Sequence, residues 1–159
     1  MLEPKQKIQA LIDSFSDEES EIVLANLEAL SESSMVVRSP FTSVLGIKVT
    51  ERGEGTAVAE VKIRPHLMNI VGITHGAVSY GLADVGTGAA ASAVLDLETE
   101  LCVTQDLHYR YVGAIKGDKL IARCSVVKKG RQTIVVEAKV YDKDRLVGIA
   151  DGTYVILKK

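Results

Sequence analysis

Tryptophan is absent from the 159-residue chain, and only five tyrosines and two phenylalanines are present. A core without large rings has to be closed by Val, Ile, Leu and Ala. Cysteine is nearly as scarce. Cys102 and Cys124 both fall in apolar runs, without the paired spacing that holds zinc. That excludes a disulfide scaffold and points to two buried thiols in a reducing compartment. There is no surplus of positive charge, with 19 Lys and Arg against 21 Asp and Glu, so a nucleic-acid surface is not expected. The start, Met1-Leu2-Glu3-Pro4-Lys5, lacks the basic-then-apolar layout of a secretion signal, and a cytoplasmic protein is expected. One stretch, residues 77–95, is long enough for a bilayer. It contains Asp84 and is built of Ala and Gly. A carboxylate at mid-bilayer costs about 3 kcal/mol, so this stretch reads as a buried helix and no membrane span is expected.

What is present is patterned. Residues 1–38 read as an acidic helical segment. Pro4 suits a first turn, and Ile8, Leu11, Ile12 and Phe15 recur at helical spacing. Ser16 and Glu19 form the two ends of a capping box opening a second helix, whose apolar stripe is Val23, Leu27 and Leu30 and which closes in Ser31-Glu32-Ser33-Ser34. Residues 39–159 read as one domain. Ala57, Ala59, Val61 and Ile63 alternate with Val58, Glu60, Lys62 and Arg64, the period of a strand with one buried face. A loop over 66–74 leads into the Ala/Gly-rich helix from Gly76 to Leu95. Four strand-like runs follow at about 101–111, 118–128, 132–141 and 145–156, separated by short turns that favour antiparallel pairing. Each Gly inside a helix costs about 1 kcal/mol relative to Ala. Close approach of a curved sheet would offset that, so the expected fold is α+β: an antiparallel sheet wrapped around one long central helix, with an extra N-terminal helical segment.

The chemistry gathers in Asn69-Ile70-Val71-Gly72-Ile73-Thr74-His75-Gly76 and Leu82-Ala83-Asp84. Gly72 and Gly76 bracket a turn into a helix start, where free N–H groups can polarise an oxygen. Asp84 lies in a helix that otherwise reads as buried, a costly place for a carboxylate without a partner or a task. Asn69 and His75 add polar groups to the loop. Each also has a plainer reading: Asn69 as a turn residue, His75 as a loop brace, Asp84 as a hydrogen-bonded interface carboxylate. His66 and His108 have no ligand-spaced partners, and no metal site is expected.

In this spaced set the chain resembles the hotdog-fold acyl-CoA thioesterases of the phenylacetate-pathway (PaaI) type. The likeness covers about residues 40–157 and continues in Thr104-Gln105-Asp106-Leu107-His108-Tyr109, Gly130-Arg131 and Val147-Gly148-Ile149-Ala150-Asp151-Gly152-Thr153. It departs from many relatives at Ala77, where they carry a second Gly, and in its longer N-terminal segment. The resemblance implies hydrolysis of an acyl-CoA or aryl-CoA thioester without a cofactor. Asp84 would be general base or nucleophile, and the Gly76 N–H would hold the thioester oxygen. Asn69 would help position water or the thioester, Thr104 would assist the water, His75 would brace the loop, Gly72 would take part in substrate binding, and Arg131 would meet a CoA phosphate. It also implies a homodimer or dimer of dimers, with Asn69 and Gly76 of one subunit facing Asp84 and Thr104 of the other. A non-catalytic acyl-CoA binding protein and a hotdog-fold enoyl-CoA hydratase or dehydratase are the alternatives.

Overall fold

The period-two pattern at residues 57–63 forms a strand whose Ala57, Ala59 and Val61 are buried, and the rest of the architecture is built upon that face. The structure, a computed structural model, describes residues 3–32 and 39–159. Two short strands, β1 (Lys48–Gly53) and β2 (Thr56–Lys62), come first. Four longer ones follow the central helix: β3 (Glu100–Tyr111), β4 (Lys119–Lys129), β5 (Thr133–Asp142) and β6 (Arg145–Lys158). They form one antiparallel sheet in the order β1-β2-β4-β5-β6-β3. The expected strands are all present within two residues of their expected ends. The pairing is less local than short turns suggested. β4, β5 and β6 are successive hairpin neighbours, but β3 pairs with β6 and forms the far edge.

The central helix, α4 (Gly76–Ser92), lies along the concave face of this sheet and touches all six strands. It ends three residues earlier than expected, capped at Ala93. Its glycines are explained by close approach. A Cβ built on Gly86 would lie 2.5 Å from Cys124 Sγ, and one on Gly88 would lie 3.3 Å from the Tyr154 hydroxyl. The main core joins Leu82, Ala83, Ala89 and Ala90 of α4 to Ala59, Val61, Leu120, Ala122 and Val140 of the sheet. A smaller cluster joins Ala91 to Ile134, Val136 and Tyr154. Cys124 is buried, which pushes its thiol up to about 12. Cys102 is only half-buried, because it sits on the edge strand β3 with one neighbouring strand instead of two.

The N-terminal segment contains α1 (Pro4–Ile12) and α2 (Asp17–Ser31), and a short α3 (Pro40–Leu45) that the sequence pattern did not reveal precedes β1. The capping box is present: Glu19 N donates to Ser16 Oγ at 3.3 Å, and Ser16 N donates to Glu19 Oε2 at 2.9 Å. Two details differ from expectation. No residue of α1 is buried: Ile8 and Leu11 are exposed and Ile12 is half-buried. The buried residues of α2 are Ala25 and Ala29, while Leu27 is exposed. Small side chains let α2 approach Gly46 closely, and charge holds it there. Glu28 and Glu32 pair with Arg64, and Glu32 also with Lys48. Arg64 and Lys48 lower the Glu32 carboxyl to about 2. Ser33, Ser34 and the expected segment boundary at residue 38 lie outside the described residues. Among the described residues, no helix is long and apolar enough to cross a membrane, and no group of His, Cys, Asp and Glu is placed to hold a metal ion.

Candidate active site

Seven residues were singled out by sequence, and the fold sorts them into two groups and an outlier. The first group is made by one local segment. The Asn69 carboxamide oxygen accepts from Val71 N at 3.0 Å and Ile73 N at 3.2 Å, while Asn69 N donates to Ile73 O at 2.8 Å. Gly72 takes a left-handed conformation, φ 74°, which closes the turn. Asn69 is therefore the organiser of its loop, and its plainer reading as a turn residue holds. His75 is the N-cap of α4, with Nδ1 accepting from Ala77 N at 3.0 Å, so it braces the loop. Nδ1 accepts in that bond, which puts the proton of a neutral ring on Nε2. Gly76 begins the helix, and its N–H has no acceptor among the described residues. The Tyr111 ring closes one side of that N–H, 3.1 Å from where a Gly76 Cβ would stand.

The second group is made by contacts distant in sequence. Asp84 is half-buried on α4, and Thr104 Oγ1 of β3 donates to its Oδ1 at 3.0 Å. A bulge at Gln105, between Thr104 and Asp106, sets this up. Cys102 before the bulge and Leu107 and Tyr109 after it pack on the core, while Thr104, itself exposed, turns its hydroxyl to Asp84. An extra residue in one strand re-aims the side chains beside it. Tyr154 of β6, directly opposite Thr104, completes the group and was missed by sequence reasoning. Its hydroxyl donates to the Asp84 backbone oxygen at 2.9 Å, lies 3.4 Å from Asp84 Oδ1, and shares a 3.0 Å hydrogen bond with Thr87 Oγ1. The available signal was a tyrosine on a strand face whose three preceding positions are the small Gly148, Ala150 and Gly152.

Asp84 Oδ2 has no hydrogen-bond partner among the described residues. Asp142 shows the contrasting case. It is 4% exposed, and one of its oxygens takes Lys116 N at 2.8 Å, Gly117 N at 3.1 Å and Arg145 at 2.8 Å. Burial alone would push Asp142 up, but these donors hold it below the usual carboxylate value. It is a satisfied structural acid, whereas Asp84 has an oxygen to spare. The outlier is Arg131, exposed in the β4–β5 hairpin, with no hydrogen bond or ion pair to the other six.

Asp84 and the Gly76 N–H are eight residues apart on one helix, about 12 Å along its axis. Within one chain they cannot reach the same carbonyl group. Around the loop, Met68, Ile70, Val71 and Ile73 are exposed apolar residues, as are Leu101 and Val103 on the unpaired edge of β3.

Comparison with known proteins places the chain in a family. The model of the thioesterase superfamily matches residues 71–149. SSO2140 of Saccharolobus solfataricus, a provisionally named esterase, is 30% identical over 72% of this chain and 81% of that protein. The structure of BH2602 from Bacillus halodurans with CoA superposes with a TM-score of 0.79 at 25% identity, covering 96% of this chain and 99% of the other. A mutant of the phenylacetic acid degradation protein PaaI from Thermus thermophilus gives a TM-score of 0.67 at 25% identity, covering 74% and 98%. The chain belongs to the thioesterase superfamily, with the hotdog architecture of a sheet wrapped around one helix. The class of reaction that goes with this membership is thioester hydrolysis.

Proposed function

We propose that the protein hydrolyses acyl-CoA thioesters to the free acid and CoA, with Asp84 as the residue that activates water. The observation that carries this reading is the state of Asp84: one oxygen is anchored by Thr104 at 3.0 Å and the other is uncommitted. A carboxylate held in this way can take a proton from water as the water attacks the thioester carbon. The carbonyl oxygen then gains negative charge, and a backbone N–H at a helix start stabilises it. Collapse of the adduct expels the CoA thiolate, which takes up the proton. The alternative route has the same oxygen attack the carbonyl carbon directly, breaking the C–S bond and expelling the CoA thiolate. The anhydride so formed would then be cleaved by water.

The 12 Å offset supports a composite site, with Gly76 and its loop from one subunit and Asp84 and Thr104 from a second copy. The exposed apolar loop and the bare edge of β3 suit a homo-oligomeric contact. CoA as the thiol portion is favoured by the CoA-bound relative, and Arg131 is the surface cation assigned to a CoA phosphate. The reaction needs no metal or organic cofactor. A hydratase would need a free His beside an acid, and His75 is committed to capping α4.

Release of free thiol from a panel of acyl-CoA esters tests the proposal, with wild type and Asp84→Asn compared. The substitution keeps shape and polarity but removes the base. Turnover that vanishes in the variant supports the reading, and the panel ranks the acyl groups. Binding without turnover by the wild type, or equal turnover by both proteins, overturns it.

A further inference from the structure

Resting on the reading of Asp84 as the reactive carboxylate, we propose that Tyr154 is a positioning residue for it. Its hydroxyl, seated on Thr87, spans the main-chain carbonyl and the carboxylate of Asp84 and fixes which oxygen faces the reaction.

Tyr154 is 3% exposed and packs with Ala91, Ile134 and Val136. A phenylalanine would fill that space equally well, and a buried hydroxyl is costly unless paired. The hydroxyl is paired three ways, and each partner lies on α4 within one turn: Asp84 O at 2.9 Å, Thr87 Oγ1 at 3.0 Å and Asp84 Oδ1 at 3.4 Å. Thr87, fully buried, has one proton and two acceptors for it, Ala83 O at 2.8 Å and the Tyr154 oxygen at 3.0 Å. When Thr87 donates to Tyr154, the phenol proton goes to Asp84, either at its carbonyl or at Oδ1. Gly88, bare of a side chain one turn beyond Asp84, makes the room, since a Cβ there would stand 3.3 Å from the phenol oxygen. Burial also pushes the phenol up to about 12, so it stays a neutral donor across the working range of an enzyme.

The consequence is an asymmetric carboxylate. Thr104 from β3 and Tyr154 from β6 both address Oδ1, and among the described residues nothing addresses Oδ2. Oδ2 is then the oxygen presented to water or to the thioester. Of the two residues that bond the Asp84 side chain, only Tyr154 titrates. Removing its donor withdraws a contact that favours the ionised carboxylate, so the acid should weaken.

The test is Tyr154→Phe, which deletes the hydroxyl and keeps the ring, with Thr87→Val as a second, nearly isosteric variant. Asp84→Asn is run in parallel. The expected result for Tyr154→Phe is a fall in kcat of about tenfold or more, from loss of a hydrogen bond to a charged group, with KM changed far less. The acidic limb of the kcat/KM profile should move to higher pH, and Thr87→Val should do the same more weakly. A raised KM with unchanged kcat, or a profile that stays in place in both variants, overturns the positioning role. If Tyr154→Phe does not fold, Thr87→Val alone decides through the same limb. Full turnover by Asp84→Asn would instead remove the reading on which the proposal rests. Its loss there, with Tyr154→Phe and Thr87→Val indistinguishable from wild type, would sink the proposal alone.

Discussion

The two halves of the candidate site are built by opposite means. The helix-start half, Asn69 to Gly76, is a product of local rules: an Asn closing its own turn, a left-handed Gly, an N-capping His and a free N–H. All of it lies within eight residues, and the rest of the fold has only to orient it. The carboxylate half, Asp84 with Thr104, Tyr154 and Thr87, comes from three elements that meet only because β3 pairs with β6 beside α4. The local half offers backbone and the distant half offers side chains. Substitutions in the first should therefore act mainly on conformation, and substitutions in the second on chemistry.

The most severe break in that comparison is Asp84→Asn, expected to lower kcat by about 10²–10⁴-fold without loss of thermal stability; thiol release and a melting curve measure the two. Next comes Gly76→Pro, which removes the N–H and, like Gly76→Ala, sets a Cβ against the Tyr111 ring. Proline is tolerated at a first helical position, and His75 already has the extended ψ of 134° that a following proline requires. A loss of about 10²–10³-fold in kcat is expected, the scale of one oxyanion donor. Gly76→Ala, which keeps the N–H and displaces only the exposed Tyr111 ring, should lose much less.

These two inactive proteins also sharpen the comparison. If the halves belong to different subunits, mixing Asp84→Asn chains with Gly76→Pro chains should restore activity. With random dimer exchange, half the dimers are mixed and one site in each is intact, so recovery should approach about a quarter of wild type. Persistent inactivity after proven exchange would place both halves in one chain's site. A smaller effect is expected for Thr104→Val, a fall in kcat of about 10- to 10²-fold from loss of a hydrogen bond to a charged group, with Thr104→Ser recovering most of it. The smallest is Asn69→Ala. It removes the one oxygen that accepts from both Val71 and Ile73, and should cost about 1 kcal/mol in denaturant unfolding while speeding amide exchange at those two residues.

The same contrast explains what the sequence disclosed. The strand at 57–63, the long helix, the four later strands and the loop before Gly76 were legible because each depends on spacing within a few residues. Asp84 stood out because a carboxylate contradicts the helix around it. Tyr154 did not, because its meaning comes from facing Thr104 across a register that no local period fixes. The place of β3 at the sheet edge was hidden for the same reason, since its link to β4 is short yet the two do not pair. The docking face of α2 was misread in a different way. Hydropathy favoured Leu27, but the buried positions are Ala25 and Ala29, and Ala29 is the residue that meets Gly46.

The bulge at Gln105 divides β3 into two reading frames. Through Thr104 the even-numbered positions face the helix, and from Leu107 onward the odd-numbered ones do. A saturation scan of this strand should therefore show tolerance that changes parity midway, with Cys102 and Thr104 sensitive on one side and Leu107 and Tyr109 on the other. Deleting Gln105 would merge the frames. Asp106 would then follow Thr104 as the outward residue, and Leu107 and Tyr109 would still face the helix, so a deletion here should do less harm than one elsewhere in the strand, which flips every side chain beyond it.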